Sequence, residues 1–255
     1  MQTKATLEIN ISSYWHPGTG KGSGSHLDAL VERDRYGLPF VSGKMLKGLF
    51  RDAVNRLECW NRLDDLKESL DITAASAENA ENSLTEKLFG SKSYQTDEAD
   101  KASETLARDY TQAGILRFSD ATFSAEMQAW LGHTEQEALR QELFRDFYST
   151  AIQYSTGVAK KNSLRGMEMA IPVTLFATIS WRGDDVVNDA GNDIGNDAYK
   201  DLWQEVLLRS LPLIRAVGGH RTRGFGRAQL SLQTDVSRSD VKSNAKNDAK
   251  SEVKA

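Results

Sequence analysis

Cysteine is almost absent from this chain of 255 residues, whose only thiol is Cys59. A single thiol excludes an internal disulfide and also excludes zinc sites built on several thiolates. Long apolar stretches are missing as well, since no run approaches the roughly 20 residues needed to span a bilayer. The opening sequence, MQTKATLE, lacks the apolar run of a signal peptide. These absences predict a cytoplasmic protein that makes no contact with a membrane.

An excess of basic residues is also missing. The chain has 32 Lys and Arg against 36 Asp and Glu, a net charge of -4, which by itself argues against a nucleic-acid binder. The charges are segregated, however: acidic residues dominate 64–109 and 184–197, whereas the glycine-punctuated segments are basic. Because phosphates meet local patches rather than the average charge, this segregation leaves nucleic-acid binding open.

Apolar periodicity predicts an α+β fold. The predicted elements are a strand at 5–12, a helix from 44 capped by Ser42, a strand at 114–120, helical segments at 125–147, a strand at 168–181 in which Pro172 indicates an edge position or a bulge, a helix at 199–217 bent at Pro212 and a strand at 227–233. With the insertions removed, the order is strand, helix, strand, strand, helix, strand. This order predicts a ferredoxin-like or RRM-like antiparallel sheet with both helices on one face.

One domain is predicted to span 1–234. An acidic, Ala- and Ser-rich insertion without sustained apolar period is predicted at 61–112, as helical or partly disordered chain, and a low-complexity loop at 183–198. The apolar-free tail at 235–255 is predicted to be disordered.

The most informative motif is the glycine-rich segment at 218–227, GGHRTRGFGR. A dinucleotide-binding glycine loop follows a strand and opens a helix, whereas this one follows a predicted helix and enters a predicted strand. A Walker-type loop is excluded too, because Met45 follows Lys44 where that motif needs Ser or Thr. The remaining interpretation is a basic loop whose backbone N–H groups approach phosphates closely, favoured here over a purely structural turn.

The helix, glycine-rich loop and closing strand together resemble the signature of the RAMP superfamily. Three further segments resemble that family in the same order: 28–51, whose Asp28, Arg33-Asp34 and Leu-Lys-Gly turn match its strand-to-helix segment; 116–121, its second strand; and 156–165, its thumb hairpin. We place the thumb-like segment at 150–168. Within the superfamily, the likeness is to the backbone subunits of type III CRISPR effector complexes of the Csm and Cmr kind.

The resemblance implies the partners and the site. The partners would be a CRISPR guide RNA, the target RNA, other RAMP subunits and the large subunit of the complex. Asp28 would be the catalytic residue of an endoribonuclease, either binding a divalent ion (Mg²⁺ or Mn²⁺) or orienting the ribose 2′-hydroxyl, with no organic cofactor. The predicted RNA-binding residues are Lys21, Arg33, Lys44, Lys47, Arg51, Lys160, Lys161, Arg165, His220, Arg221, Arg223 and Arg227.

Two alternatives stay open. Another branch of the superfamily processes CRISPR precursor RNA with a histidine as general acid or base, and His16 or His26 would then be the catalytic residue. In the other alternative, the chain is a structural subunit that grips RNA without cutting, and Asp28 is an ordinary exposed loop carboxylate.

Overall fold

The computed structural model describes residues 4–23, 27–68, 83–90, 113–181 and 196–234, with only the backbone for 196–201 and 234. Several sequence-based predictions fall outside this range. They concern His26, most of the acidic insertion at 61–112, most of the low-complexity loop at 183–198 and the tail at 235–255.

Six strands form two sheets in the described chain. The strands are β1 (Lys4–Ile11), β2 (Leu116–Phe118), β3 (Phe144–Ser149), β4 (Arg165–Ala170), β5 (Thr174–Trp181) and β6 (Ala228–Thr234). The helices are α1 (Gly43–Cys59), α2 (Asp64–Glu68), α3 (Leu84–Phe89), α4 (Ala125–Leu131), α5 (Glu137–Gln141) and α6 (Asn196–Ser210). Short 3₁₀ turns lie at Thr134–Gln136, Leu211–Leu213 and Arg221–Arg223.

The main sheet has the strand order β2-β5-β1-β6, and every pairing in it is antiparallel. This arrangement confirms the predicted ferredoxin-like fold. In the centre of the sheet, Leu7 of β1 lies opposite Ala177 of β5 and Leu232 of β6. The alternation seen in the sequence of β1 therefore turns one apolar face of the sheet inward.

The core lies between that apolar face and the helices. Helix α1 begins where the Ser42 side chain accepts a hydrogen bond from the Met45 N–H, as the sequence predicts, at 3.4 Å. It buries Leu46 and Phe50 against the sheet, and α6 adds the fully buried Trp203. None of the helices in the described ranges is long and apolar enough to cross a membrane.

Part of the segment 61–112 belongs to this core. Leu63 and the α3 residues Leu84, Leu88 and Phe89 are buried and join the same apolar cluster. The Glu58 carboxylate, in the last turn of α1, holds the start of α3 by accepting hydrogen bonds from the Leu84 and Thr85 N–H groups, both at 2.9 Å. The described pieces of this polar stretch are therefore an integral layer of the domain.

Two predictions about the middle of the chain were wrong. The segment 125–147 is not one helical stretch: α4 ends at Leu131, α5 ends at Gln141, and the chain then becomes strand β3. The predicted long strand at 168–181 is two strands in different sheets. The chain leaves β4 at Ala170 and enters β5 at Thr174, with Pro172, which has no N–H to donate, in the break.

The last predicted helix ends early. Helix α6 stops at Ser210, and Pro212 sits in a 3₁₀ turn rather than in a bent continuation of the helix to residue 217. A proline inside a helix removes one backbone hydrogen bond and clashes with the preceding turn, so ending the helix satisfies more of the backbone than bending it.

Candidate nucleic-acid interface

The second sheet is the β3–β4 hairpin, which occupies the position predicted for the thumb. It pairs Phe144 with Ala170 at its base and Ser149 with Arg165 at its far end. All residues from 150 to 162 beyond that end are exposed. The tip closes as a tight turn, in which the Gln153 carbonyl accepts the Gly157 N–H at 2.8 Å.

Three of the predicted RNA-binding residues lie on this hairpin. Lys160, Lys161 and Arg165 are all exposed, and no acidic residue occurs between positions 150 and 165. The hairpin also exposes several large apolar side chains, among them Ile152, Tyr154 and Leu164. A surface that is both basic and apolar suits a ligand with phosphates and aromatic bases.

Asp28 lies beside β4, next to the far end of the paired strands. Its N–H donates to the Gly166 carbonyl at 2.8 Å, and its Oδ2 accepts the Gly166 N–H at 2.9 Å. The next residue, Ala29, accepts the Glu168 N–H at 2.9 Å. The Asp28 segment thus runs along the outer edge of β4, joined to it by an isolated bridge between Ala29 and Met167, and Asp28 is exposed at the end of that pairing.

The positive charge of Arg33 is paired with a carboxylate of the protein itself. Its guanidinium forms an ion pair with the buried carboxylate of Glu168 and stacks over the Phe144 ring at 3.7 Å from the centroid. The other Glu168 oxygen accepts the Val31 N–H at 3.0 Å. Arg33 therefore fastens the Asp28 segment to the hairpin, and the prediction that it binds phosphate stays untested. Sequence reasoning missed Glu168, although a lone carboxylate between Met167 and Met169 in an apolar strand indicates a partner.

The glycine-rich loop joins α6 to β6 and packs on the same region. Its Gly219 N–H donates to the His16 carbonyl at 2.7 Å, and its Gly226 N–H donates to the Tyr14 carbonyl at 2.8 Å. The Phe225 ring meets the Phe147 ring of β3 edge to face, at 5.2 Å between centroids. The loop is therefore braced against the base of the hairpin.

Glycine is required at one point of this loop by direct contact. Gly226 has a φ of +68°, and a Cβ built on it would lie 1.8 Å from the Val217 carbonyl oxygen. The basic side chains of the loop point outward instead. His220, Arg221, Arg223 and Arg227 are all exposed.

Two of the three described histidines lie close together, His220 on the loop and His16 beneath it. The ring centroids of His16 and His220 are 6.2 Å apart. Partial burial, the Arg223 charge and the His16 ring together lower the pKa of His220. His16 is buried, and its Nδ1 lies 2.6 Å from the Glu168 carbonyl oxygen. A buried imidazole held by a backbone carbonyl is poorly placed to serve as an acid or base for a large RNA.

The remaining predicted residues are more scattered. Lys21 is exposed on the loop that approaches the Asp28 segment, where its carbonyl accepts the Leu30 N–H at 2.9 Å. Lys44, Lys47 and Arg51 lie on α1, where Lys44 is exposed and the other two are half-buried. Arg51 has its Nη2 buried without a hydrogen-bond partner in the described part of the chain. The α1 residues thus belong to the helical layer and not to the base of the hairpin.

The described side chains around Asp28 do not form a metal-binding site. Within the described ranges, no group of three or more His, Cys, Asp or Glu side chains could hold a metal ion. One Asp28 oxygen already accepts the Gly166 N–H. A divalent ion at Asp28 would therefore need most of its ligands from RNA phosphates and water, and the predicted Mg²⁺ or Mn²⁺ remains a prediction.

Comparison with known proteins identifies the family. The RAMP superfamily model matches residues 8–229, nearly the whole described domain. The chain therefore belongs to the RAMP superfamily. The comparison with curated proteins finds no match.

Solved structures of related shape agree with this fold. One is a chain of the cryo-EM structure of the type III-B Cmr-beta bound to cognate target RNA, with a TM-score of 0.54 and 12% identity, covering 90% of this chain and 96% of that chain. Another is a chain of the type III-B Cmr-beta structure in the apo state, with a TM-score of 0.53 and 12% identity, covering 92% and 98%. At this identity the likeness concerns the fold.

Proposed function

We propose that this chain is a guide-RNA-binding backbone subunit of a type III CRISPR effector complex, and that it cuts the bound target RNA with Asp28. Membership of the RAMP superfamily and the likeness in fold to Cmr-beta chains support the assignment to such a complex. Its partners would be the guide RNA, the target RNA, neighbouring RAMP subunits and the large subunit.

The observation that carries the nuclease proposal is the place of Asp28. Its main chain is paired with Gly166, near the far end of the paired strands of a hairpin whose outer part is exposed and basic. A duplex gripped by that hairpin and by the glycine-rich loop brings its backbone next to an exposed carboxylate. Loop residues held by a rigid strand are well suited to placing one functional group accurately.

The reaction that fits a lone carboxylate is attack by the ribose 2′-hydroxyl on its own 3′-phosphate. Asp28 would orient the hydroxyl and accept its proton while the 2′-oxygen bonds to phosphorus. The bond from phosphorus to the 5′-oxygen breaks and that oxygen takes up a proton from water, while the proton held by Asp28 passes to the resulting hydroxide and restores the carboxylate. The products are a 2′,3′-cyclic phosphate and a 5′-hydroxyl, so the phosphate charge and all atoms are conserved.

The test is reconstitution of the complex with guide RNA and a labelled target. Asp28→Ala and Asp28→Asn proteins should assemble and bind target as the wild type does, because an exposed loop carboxylate contributes little to folding. Both should fail to cut opposite their own position. Asn preserves an oxygen acceptor for the Gly166 N–H, so its failure would separate loss of the carboxylate's charge and basicity from loss of the loop contact.

Matched substrates and variants sharpen this result. A single 2′-deoxynucleotide at the cleaved position should block cutting by the wild type, and chelation of divalent ions should do so only if a metal takes part. Asp52→Ala, which removes an exposed carboxylate on α1, should cut normally. Cutting by Asp28→Ala at the wild-type rate would remove the nuclease proposal and leave the RNA-gripping role.

Precursor processing by histidine is the second candidate, and burial of His16 weighs against it. His16→Ala should leave target cutting intact if the protein folds. Loss of precursor processing in either His16→Ala or His26→Ala, with target cutting retained, would favour that function instead.

A further inference from the structure

The β3–β4 hairpin has two faces, and its register fixes which side chains share them. Tyr148 lies opposite Gly166, Asp146 opposite Glu168 and Phe144 opposite Ala170. Directly opposite residues point to the same side of a sheet, so Tyr148 shares a face with Phe144 and Glu168. Arg33 stacks on Phe144 and pairs with Glu168, which identifies this face as the one that the Asp28 segment covers at its base.

Gly166 separates Tyr148 from Asp28. Both polar groups of the Gly166 backbone point to Asp28, since its N–H donates to Asp28 Oδ2 and its carbonyl accepts the Asp28 N–H. Tyr148 and Gly166 therefore form the closely spaced, non-hydrogen-bonded kind of pair. Two strand spacings place the main chains of Tyr148 and Asp28 about 10 Å apart, with no side chain on the glycine between them.

The Phe147 side chain contacts a ring in another part of the fold, whereas the neighbouring Tyr148 side chain has no such contact within the described ranges. Phe147 packs on Phe225 of the glycine-rich loop and is 42% exposed, and Tyr148 is exposed to a similar degree, 47%. It has neither a hydrogen-bond nor a ring partner within the part of the chain that the structure describes. A large aromatic side chain half in solvent, directly across a glycine from a functional carboxylate, has the properties of a stacking platform.

We propose that Tyr148 stacks on the nucleobase of the target nucleotide cut beside Asp28 and so positions its ribose against the carboxylate. This inference rests on the proposed function of Asp28 and adds a substrate-positioning residue to it. Because every base has an aromatic face, the contact binds any base at that position. The tyrosine hydroxyl is not needed, so the ring alone should suffice.

Stacking is best tested apart from cutting. The complex is assembled with a target whose nucleotide opposite Asp28 is 2-aminopurine on a 2′-deoxyribose, which cannot be cut by 2′-hydroxyl attack. The fluorescence of 2-aminopurine should be quenched by the wild type and by Tyr148→Phe. It should be restored by Tyr148→Leu and Tyr148→Thr, two residues that a strand accepts. The control is Trp130→Leu, which removes a similarly exposed aromatic ring (49%) from α4 and should leave the quenching unchanged.

The kinetic test uses ordinary target RNA at saturating concentration. Tyr148→Leu should cut about 10-fold more slowly, the effect of losing one base stack, while Tyr148→Phe cuts nearly as the wild type does. A target with an abasic nucleotide at the cut position should slow the wild type equally and should slow Tyr148→Leu no further. If the role of Tyr148 were purely structural, the slowing of cutting caused by Tyr148→Leu would add to the slowing caused by the abasic nucleotide.

The two proposals fail in different ways. The stacking proposal is overturned if quenching persists at the wild-type level in both Tyr148→Leu and Tyr148→Thr, or if the abasic target and Tyr148→Leu slow cutting additively. Neither result bears on the proposed role of Asp28 in cutting. Uncut target with the wild type overturns the nuclease proposal, and the quenching measured on the uncuttable probe then still decides whether Tyr148 stacks. Melting curves for each variant show that the compared proteins are folded.

Discussion

Glu58 holds together two layers of the domain through one carboxylate. Its oxygens accept the Leu84 and Thr85 N–H groups at 2.9 Å, the Ser83 hydroxyl at 2.8 Å and the Thr85 hydroxyl, and Lys67 pairs with it at 3.0 Å. Because the first N–H groups of a helix have no partner within the helix, this side chain caps α3 from outside. Leu84 and Thr85 are buried, so water cannot easily replace Glu58.

Replacing Glu58 with Ala should therefore cost much more than an ordinary surface change. A hydrogen bond to a charged group contributes about 1.5–3 kcal/mol, but bonds that share one carboxylate are not additive, so we expect a total loss of about 3 kcal/mol in the free energy of unfolding. At about 2–4 °C per kcal/mol, the melting temperature should fall by about 6–12 °C. Glu58→Gln keeps one carbonyl oxygen and should lose about half as much.

The measurement is urea unfolding of each variant, with Asp52→Asn as the control. Asp52 belongs to the same helix and forms an exposed pair with Arg56 at 2.8 Å, which contributes about 0.5 kcal/mol or less. If Glu58→Ala unfolded at the same urea concentration as Asp52→Asn, the capping role of Glu58 would be refuted. It would mean that α3 adds nothing to the cooperative core.

The pH dependence provides a second check on the same carboxylate. Burial by itself raises the pKa of Glu58, but the hydrogen bonds from Thr85 and Ser83 and the Lys67 ammonium outweigh it and bring the pKa below its ordinary value. A carboxyl with a lowered pKa in the folded state contributes stability above its unfolded pKa, about 4.3, and loses it as the pH falls through the folded value. The stability difference between the wild type and Glu58→Gln should therefore be constant near neutral pH and shrink below about pH 4.

Two further predictions concern the glycine-rich loop. Replacing its three arginines by Ala should weaken guide-RNA binding and reduce the slope of log affinity against log salt by about 2, as expected for the loss of three phosphate contacts to a single strand. These residues are Arg221, Arg223 and Arg227. An unchanged slope would show that the loop is purely structural. Gly226→Ala should destabilise the protein by about 3 kcal/mol or more, because the added Cβ would collide with the Val217 carbonyl. Gly224 also has a positive φ, but no atom lies within 4 Å of a Cβ added there, so Gly224→Ala should cost only about 1 kcal/mol. Equal melting temperatures for these two variants would contradict the packing described.

Local patterns predicted those parts of the fold that local forces decide. The alternation in β1, the Ser42 cap of α1 and the glycine-rich loop between α6 and β6 can all be found in short windows of sequence. The division of 168–181 into β4 and β5 cannot be found that way, because both halves alternate equally well. The partner strand decides which sheet each half joins, and those partners, β3 and β1, lie elsewhere in the chain.

The candidate site depends even more on distant contacts. Motif resemblance identified Asp28, but its hydrogen bond to Gly166 joins residues 138 positions apart, and the Arg33 pair with Glu168 spans 135. The prediction that Arg33 contacts RNA stays untested, and nothing in the sequence around Arg33 indicated its ion pair with a carboxylate on the hairpin. The same pairing that engages Arg33 also anchors the Asp28 segment to β4. The hairpin pairing therefore fixes where the Asp28 carboxylate lies, and Tyr148, across β4 from it, is the residue that we propose to act beside it.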